Sequence, residues 1–189
     1  MNNPLVEYIK TNFPKVSQAA LTIIDSSFIQ QEKGKGTLLV AQGDICRNLY
    51  FLTKGISRSY SLKDGQDITT WFGFKHDFIT SFTSFFPKAP SYESIEMLSD
   101  GTVYQISYHE LVKIRTASVE IERIINHFSF LYTVQLEQRL FDIQTLTAAE
   151  KYKRILEQEP HLIQSIPNKY LASYLGITRE TLSRIRSKH

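Results

Sequence analysis

The sequence is poor in the residues that build most reactive centres. Its one cysteine, Cys46, cannot form an internal disulfide and cannot alone hold an iron–sulfur cluster or a thiolate zinc site. The five histidines, His76, His109, His127, His161 and His189, include no HxH pair, and only His76 falls near the strand-rich region. The clustered His and carboxylate ligands of a β-roll metalloenzyme are therefore missing. There is neither a nucleophile elbow nor a phosphate-binding glycine loop. No apolar run approaches the roughly 20 residues that a membrane span needs, and the opening MNNPLVEYIK lacks the apolar stretch of a signal peptide. These absences lead us to expect no catalytic residues, no metal and no membrane partner, in a soluble cytoplasmic protein.

What remains is ordinary globular material. The chain has 189 residues, 42% hydrophobic and 22% charged, enough for one large core or two modest ones. Twelve Phe and ten Tyr suit a well-packed, β-rich core. The net charge of +3 is unevenly distributed. Residues 1–143 carry 14 Lys/Arg against 15 Asp/Glu, whereas residues 144–189 carry 8 against 4. The basic excess sits where a polyanion contact would use it, although a solvated basic tail has the same composition.

The hydropathy pattern changes twice. Pro4 opens a short helical stretch with Leu5, Tyr8, Ile9 and Phe13 on one face, and Ser17 caps a second containing Ala20, Leu21, Ile23 and Ile24. From Phe28 to Ser107, short alternating runs are broken by turn residues every 8–12 positions, Asp64-Gly65 being the strongest hairpin signal. This predicts an antiparallel β-roll or jelly roll. A short helix follows over roughly 109–115, then a long one over 119–143. Apolar residues along the long helix recur at three- and four-residue steps, and Ile121, Ile125, Phe128, Tyr132 and Leu136 are its expected dimer-interface residues. Packing on its own domain is the other reading, and both can hold along different parts. Thr147-Ala148-Ala149-Glu150 is a capping box that starts another helix, ending before Pro160. The expected divisions are a β-roll domain with flanking helices over 1–118, a long dimerisation helix over 119–143 and an all-α domain over 147–189, giving an α+β chain.

Residues 168–187, NKYLASYLGITRETLSRIRS, have the spacing of a helix-turn-helix. Ala172 is small where two helices would cross, and Gly176 tolerates positive φ in the turn. Leu171, Leu175, Ile177, Leu182 and Ile185 hold the helices together, and Thr178 is an N-cap. The polar face offers Arg179, Glu180, Ser183, Arg184 and Ser187. Arg can donate twice to guanine O6 and N7, and Glu can accept from cytosine N4. Thr178, Arg179, Glu180, Ser183 and Arg184, with Lys169 on the preceding helix, are the candidate DNA-binding residues. A solvated helical hairpin closing the fold is the bland alternative.

The segment ITRETLSRIR resembles the recognition helix of the Crp/Fnr family, in which an Arg-Glu pair and an Arg four residues after the Glu read base edges; here these are Arg179, Glu180 and Arg184. LYFLTKGISRSY and DITTWFGFKHDFITS resemble the family's β-roll hairpin and the approach to its effector cassette. The likeness is strongest to short members from Bacteroidetes. It implies a cyclic-nucleotide-binding-like β-roll, a long dimer helix and a C-terminal helix-turn-helix, with double-stranded DNA, a second copy and RNA polymerase as partners.

Two departures matter. Thr80 and Ser81 stand where cyclic-AMP-binding members have Gly-Glu, and Ser91 and Tyr92 where they have Arg-Ser/Thr. A cyclic phosphodiester buried without a cation is costly. Cyclic AMP is therefore not the expected effector, and no cofactor is expected. Thr80, Ser81, Ser91 and Tyr92 either bind a neutral ligand of unknown identity or are closed off by Phe82, Phe85 and Phe86. The chain is also expected to lack the β-hairpin wing that follows the recognition helix in many members. The competing functional reading is a ligand-binding module whose terminal helices contact a partner protein.

Overall fold

The computed structural model describes residues 3–158 and 160–187. The outer limits expected for the first and last domains, Met1 and His189, lie outside the described residues.

Two short helices come first, α1 (Pro4–Asn12) and α2 (Gln18–Ser27). Each begins on a side-chain cap: Asn3 accepts from the Leu5 N–H at 3.0 Å and Ser17 from the Ala20 N–H at 3.2 Å. The strands are β1 (Ile29–Lys33), β2 (Leu38–Val40), β3 (Asn48–Lys54), β4 (Ser57–Lys63), β5 (Gln66–Gly73), β6 (Phe78–Ile79), β7 (Ser94–Met97) and β8 (Gly101–Ser107). A single turn of helix, α3 (Phe82–Phe85), separates β6 from β7. The strands form two four-stranded sheets in the orders β1-β8-β3-β6 and β2-β7-β4-β5. Neighbours in this order that are distant in sequence, such as β1 with β8 and β2 with β7, pair antiparallel, the signature of a jelly roll.

Register follows the burial of one face. Leu49–Leu52 of β3 lie opposite Ile106–Val103 of β8, with a bulge between Leu52 and Lys54. Phe51, Leu52, Ile95 and Val103 are completely buried. The turn into β4 lies against the turn into β8 so closely that only glycine fits on either side. A Cβ on Gly101 would stand 2.2 Å from the Lys54 carbonyl oxygen, and one on Gly55, whose φ is +100°, 2.9 Å from the Gly101 Cα. The β4–β7 register also pairs Arg58 with Glu96. Arg58 is buried, donates from Nε and Nη2 to a Glu96 oxygen at 3.0 and 2.7 Å, and lies 4.0 Å from the centre of the Tyr60 ring. Ion pairing and cation–π contact together offset the loss of water around the guanidinium.

After the roll come α4 (Tyr108–Ala117) and the 27-residue α5 (Val119–Thr145). Leu111 and Ile114 of α4 and Ile121 and Ile124 of α5 share one core with Leu5, Ile9, Ala20, Leu21 and Ile24. The last helices are α6 (Ala148–Gln158), α7 (Pro160–Ser165), α8 (Asn168–Leu175) and α9 (Arg179–Arg186). The capping box forms as expected: Thr147 N–H donates to Glu150 at 2.8 Å, while Glu150 N–H approaches the Thr147 hydroxyl at 3.4 Å. Helix α7 is an addition to the sequence reading. Pro160 ends α6 as expected, and it also opens α7, because a proline in the first turn of a helix loses no helical hydrogen bond.

The chain divides into two compact units, 1–60 with 72–130 and 61–71 with 131–189. The first is the β-roll with α1–α4 and the start of α5. The second joins the outer part of the β4–β5 hairpin, the later half of α5, and α6–α9. Within it, Trp71 meets Tyr132 edge-on at 5.9 Å, and Arg154 pairs with Asp142. Arg139 stacks 3.7 Å from the centre of the Tyr174 ring and reaches its carbonyl at 3.4 Å.

Candidate nucleic-acid interface

Residues 168–187 form two helices joined by a tight turn. Helix α8 ends at Gly176, which adopts the left-handed conformation at φ +71° and ψ +34°. The Ile177 N–H reaches back to the Ala172 carbonyl at 3.0 Å, closing the helix in the Schellman manner. A non-glycine residue here would carry the steric cost of that conformation. Thr178 then caps α9, its hydroxyl accepting from the Thr181 N–H at 3.2 Å. Leu171, Ala172, Leu175 and Leu182 are buried. These are four of the six positions that the spacing assigned to the contact between the helices; the other two, Ile177 and Ile185, are half-buried, and Ala172 allows the close crossing.

That packing fixes which side of α9 faces out. Thr178, Arg179, Glu180, Ser183 and Arg184 are all exposed, as is Lys169 on α8. Lys169 rests its ammonium 4.3 Å from the centre of the Tyr170 ring. Arg184 makes one long bond to the Thr181 hydroxyl at 3.3 Å. The Glu180 carboxyl is held below the usual carboxylate range, first by its own backbone N–H, then by the Thr178 hydroxyl and the nearby Arg179 charge. It is thus an acceptor at neutral pH. The surface presents two forked donors and one fixed acceptor on a single helical face.

The third arginine of α9 behaves differently. Arg186 is half-buried and bonds to Asn168, to the Ile163 carbonyl at 3.0 Å and to the Tyr152 hydroxyl at 3.4 Å. Sequence reasoning did not single it out. The signal was present: position 186 lies four residues after Leu182, on the inward side of the helix.

The residues expected to line a ligand pocket are only partly gathered. Thr80, Ser81 and Ser91 are buried, whereas Tyr92 is 72% exposed and lies at the surface. The buried hydroxyls already have partners. Ser91 bonds to the Ser81 hydroxyl at 2.9 Å and to the Glu93 carbonyl at 2.6 Å. Thr80 bonds to the Asn48 carbonyl at 3.0 Å and lies 3.3 Å from the Cys46 sulfur. Of the three phenylalanines expected to close the pocket, only Phe85 is fully buried, and Phe86 is 39% exposed. Among the described residues, no buried side-chain nitrogen or oxygen is without a partner. No group of three or more His, Cys, Asp or Glu is placed to hold a metal ion among them, and no helix is long and apolar enough to cross a membrane.

The five residues expected at a dimer interface differ in burial. Ile121 is 1% exposed and belongs to the core of the β-roll unit, and Ile125 and Phe128 pack against that core. The Phe128 ring lies 4.8 Å from Phe78 and 5.8 Å from Phe13. Tyr132 is engaged with Trp71, so of the five only Leu136 is exposed. The first three residues of that apolar face thus meet the chain's own roll. The exposed large apolar residues of α5 are Val119 at its start and, from the middle onward, Phe130, Leu131, Val134, Leu136, Leu140, Phe141 and Ile143.

Known proteins share this architecture. Residues 30–118 match the protein family described as the cyclic nucleotide-binding domain. The fold matches FixK2 from Bradyrhizobium japonicum at a TM-score of 0.72 and 21% identity, covering 85% of this chain and 83% of that one. It matches the c-di-GMP-responsive global regulator CLP of Xanthomonas campestris at 0.71 and 15%, covering 91% of each. A protein from Eubacterium rectale described within the Crp/Fnr family of transcriptional regulators matches at 0.70 and 20%, covering 92% and 83%. No curated protein is similar enough in sequence to match. The chain therefore carries a cyclic nucleotide-binding-type β-roll within the overall fold of Crp/Fnr regulators. The position expected to supply a cation in cyclic-AMP-binding members holds Ser91, whose hydroxyl bonds Ser81 and the Glu93 carbonyl.

Proposed function

We propose that this protein is a cytoplasmic, sequence-specific DNA-binding transcription regulator that works as a homodimer, with α8 and α9 as its helix-turn-helix. The observation carrying this reading is the division of α9. Its inner side is packed through Leu182, and its outer side holds Arg179, Glu180, Ser183 and Arg184 exposed. These side chains match the donor and acceptor pattern of base edges in the major groove. Lys169 and the basic excess of the last 46 residues suit the phosphate backbone.

The second copy completes the reader. Phe130, Val134 and Phe141 fall along one line of α5 and are exposed at 72, 62 and 53%. Large apolar side chains in a row on a helix are a favourable seam for an identical helix. Two recognition helices would then enter successive major grooves about 34 Å apart on a near-palindromic site. RNA polymerase is a further partner on this reading. The β-roll serves as a scaffold or takes a ligand other than cyclic AMP, because Ser91, which stands where the arginine is expected, bonds Ser81 and the Glu93 carbonyl.

Selection from random DNA tests the whole proposal. Enrichment of a near-palindrome, bound more weakly as salt rises, is the expected result. Purified dimers without sequence preference would instead support a sensor whose terminal helices contact another protein. Cyclic AMP is expected to leave the unfolding midpoint unchanged, and a rise that saturates with its concentration would overturn that part.

A further inference from the structure

We infer that Arg186 is a positioning residue that sets the angle of the reading helix and makes no phosphate contact. This rests on the reading of α9 as the element that meets base edges. A basic residue near the end of such a helix is ordinarily counted toward the polyanion, but the geometry here points elsewhere. Arg186 sits on the inward side of α9 with its guanidinium divided among three elements. It bonds the Asn168 side chain at the start of α8, the Ile163 carbonyl of α7 at 3.0 Å and the Tyr152 hydroxyl of α6 at 3.4 Å. Tyr152 and Ile163 are themselves buried. Ile163 lies in the last turn of α7, where carbonyls lack helical partners and favour a cation.

The choice of arginine follows from this arrangement. Its planar fork carries five N–H donors in fixed directions, so one side chain can bond three acceptors at once. An apolar side chain at this place would fill space but leave α9 free to rotate or slide slightly. Directional bonds restrict both movements. Base reading depends on that restriction, because side chains must be held within about 0.5 Å of the productive geometry. Arg186 therefore controls where Arg179, Glu180 and Arg184 point without touching DNA itself.

The test compares Arg186→Ala, Arg186→Lys and Asn168→Ala on the site obtained by random selection. Binding is measured against salt and against single-base changes, with thermal unfolding followed in parallel. Arg186→Ala is expected to lower discrimination between right and wrong bases by about tenfold, within the range of a base contact, and to leave the salt slope unchanged. Arg186→Lys, which keeps the charge and loses the fork, is expected to fail in the same way. Asn168→Ala is expected to reproduce part of the loss, and the double variant to be no worse than Arg186→Ala alone. A phosphate contact would look different: affinity falls equally on all sequences, the salt slope drops by about one, and lysine restores binding. That pattern overturns the inference. Should the parent protein show no sequence preference, the DNA reading fails separately. The tether is then judged by unfolding, where additive losses for Arg186→Ala and Asn168→Ala would reject it and coupled losses would retain it.

Discussion

In the β-roll, Thr80, Ser81 and Ser91 are buried; Ser91 bonds the Ser81 hydroxyl and the Glu93 carbonyl, and Thr80 bonds the Asn48 carbonyl. On α9, Arg179, Glu180, Ser183 and Arg184 stand in solvent with few or no partners of their own fold. Both regions are rich in polar groups. They differ in what those groups are bonded to. A buried hydroxyl that already donates its hydrogen has no donor for a ligand without first losing a bond. An exposed guanidinium exchanges water for a base edge at little structural cost. On the reading proposed above, the exposed face of α9 is the one that recognises a partner.

The most forceful way to break the contrast is to loosen the packing that holds the α9 face outward. Leu182→Ala removes a buried side chain between α8 and α9 and should cost about 2–5 kcal/mol of stability, measured by denaturant unfolding. Selective DNA binding should be lost with it. Next comes the face itself. Arg184→Ala and Arg179→Ala should each lower affinity for a selected site by about 1–3 kcal/mol, while binding to unrelated DNA changes much less. If gel-shift titrations show equal loss on all sequences, the two arginines contact phosphate and the base-reading assignment is wrong.

The roll side can be sharpened in the same way. Ser91→Ala leaves the buried Ser81 hydroxyl without its bond and should destabilise by about 1–3 kcal/mol, with no effect on base discrimination. A smaller effect comes from His76, which stacks 4.7 Å from Tyr8. Burial first, and the Lys75 charge second, hold its imidazole below the usual value. The unfolded chain therefore takes up the proton before the folded one. Stability is complete above about pH 6.5 and declines as pH falls from there through the folded value. The unfolding midpoint of the parent should drop across that window more steeply than that of a His76→Asn variant, asparagine being the neutral residue best suited to the φ of +77° at this position.

Much of this arrangement was legible in the sequence because it depends on local spacing. The strands follow from regular turn residues, and α8–α9 from Ala172, Gly176, Thr178 and Leu182 at fixed intervals. What escaped depends on contacts between distant residues. The apolar rows of α5 run around much of its surface, so periodicity alone could not decide that Ile121 and Phe128 meet the roll while Phe130 and Val134 do not. The role of Arg186 required knowing that Asn168, Ile163 and Tyr152 converge on it. The pairing of Arg58 with Glu96 needed the register of β4 on β7. The exposed position of Tyr92 likewise followed from tertiary placement rather than from its neighbours in sequence.

In the unit formed by residues 61–71 and 131–189, the Ser173 hydroxyl accepts from the Thr69 amide at 2.9 Å and donates to the Asp67 carbonyl at 3.0 Å. The partner of that strand amide is thus a side chain of α8. Its exchange with deuterium must wait for Ser173 to let go. One backbone signal, far along the chain from the arginines, therefore reports in real time whether α8 is seated. Followed by nuclear magnetic resonance during a DNA titration, it would tell whether the reading helices stay docked or lift off as the duplex arrives.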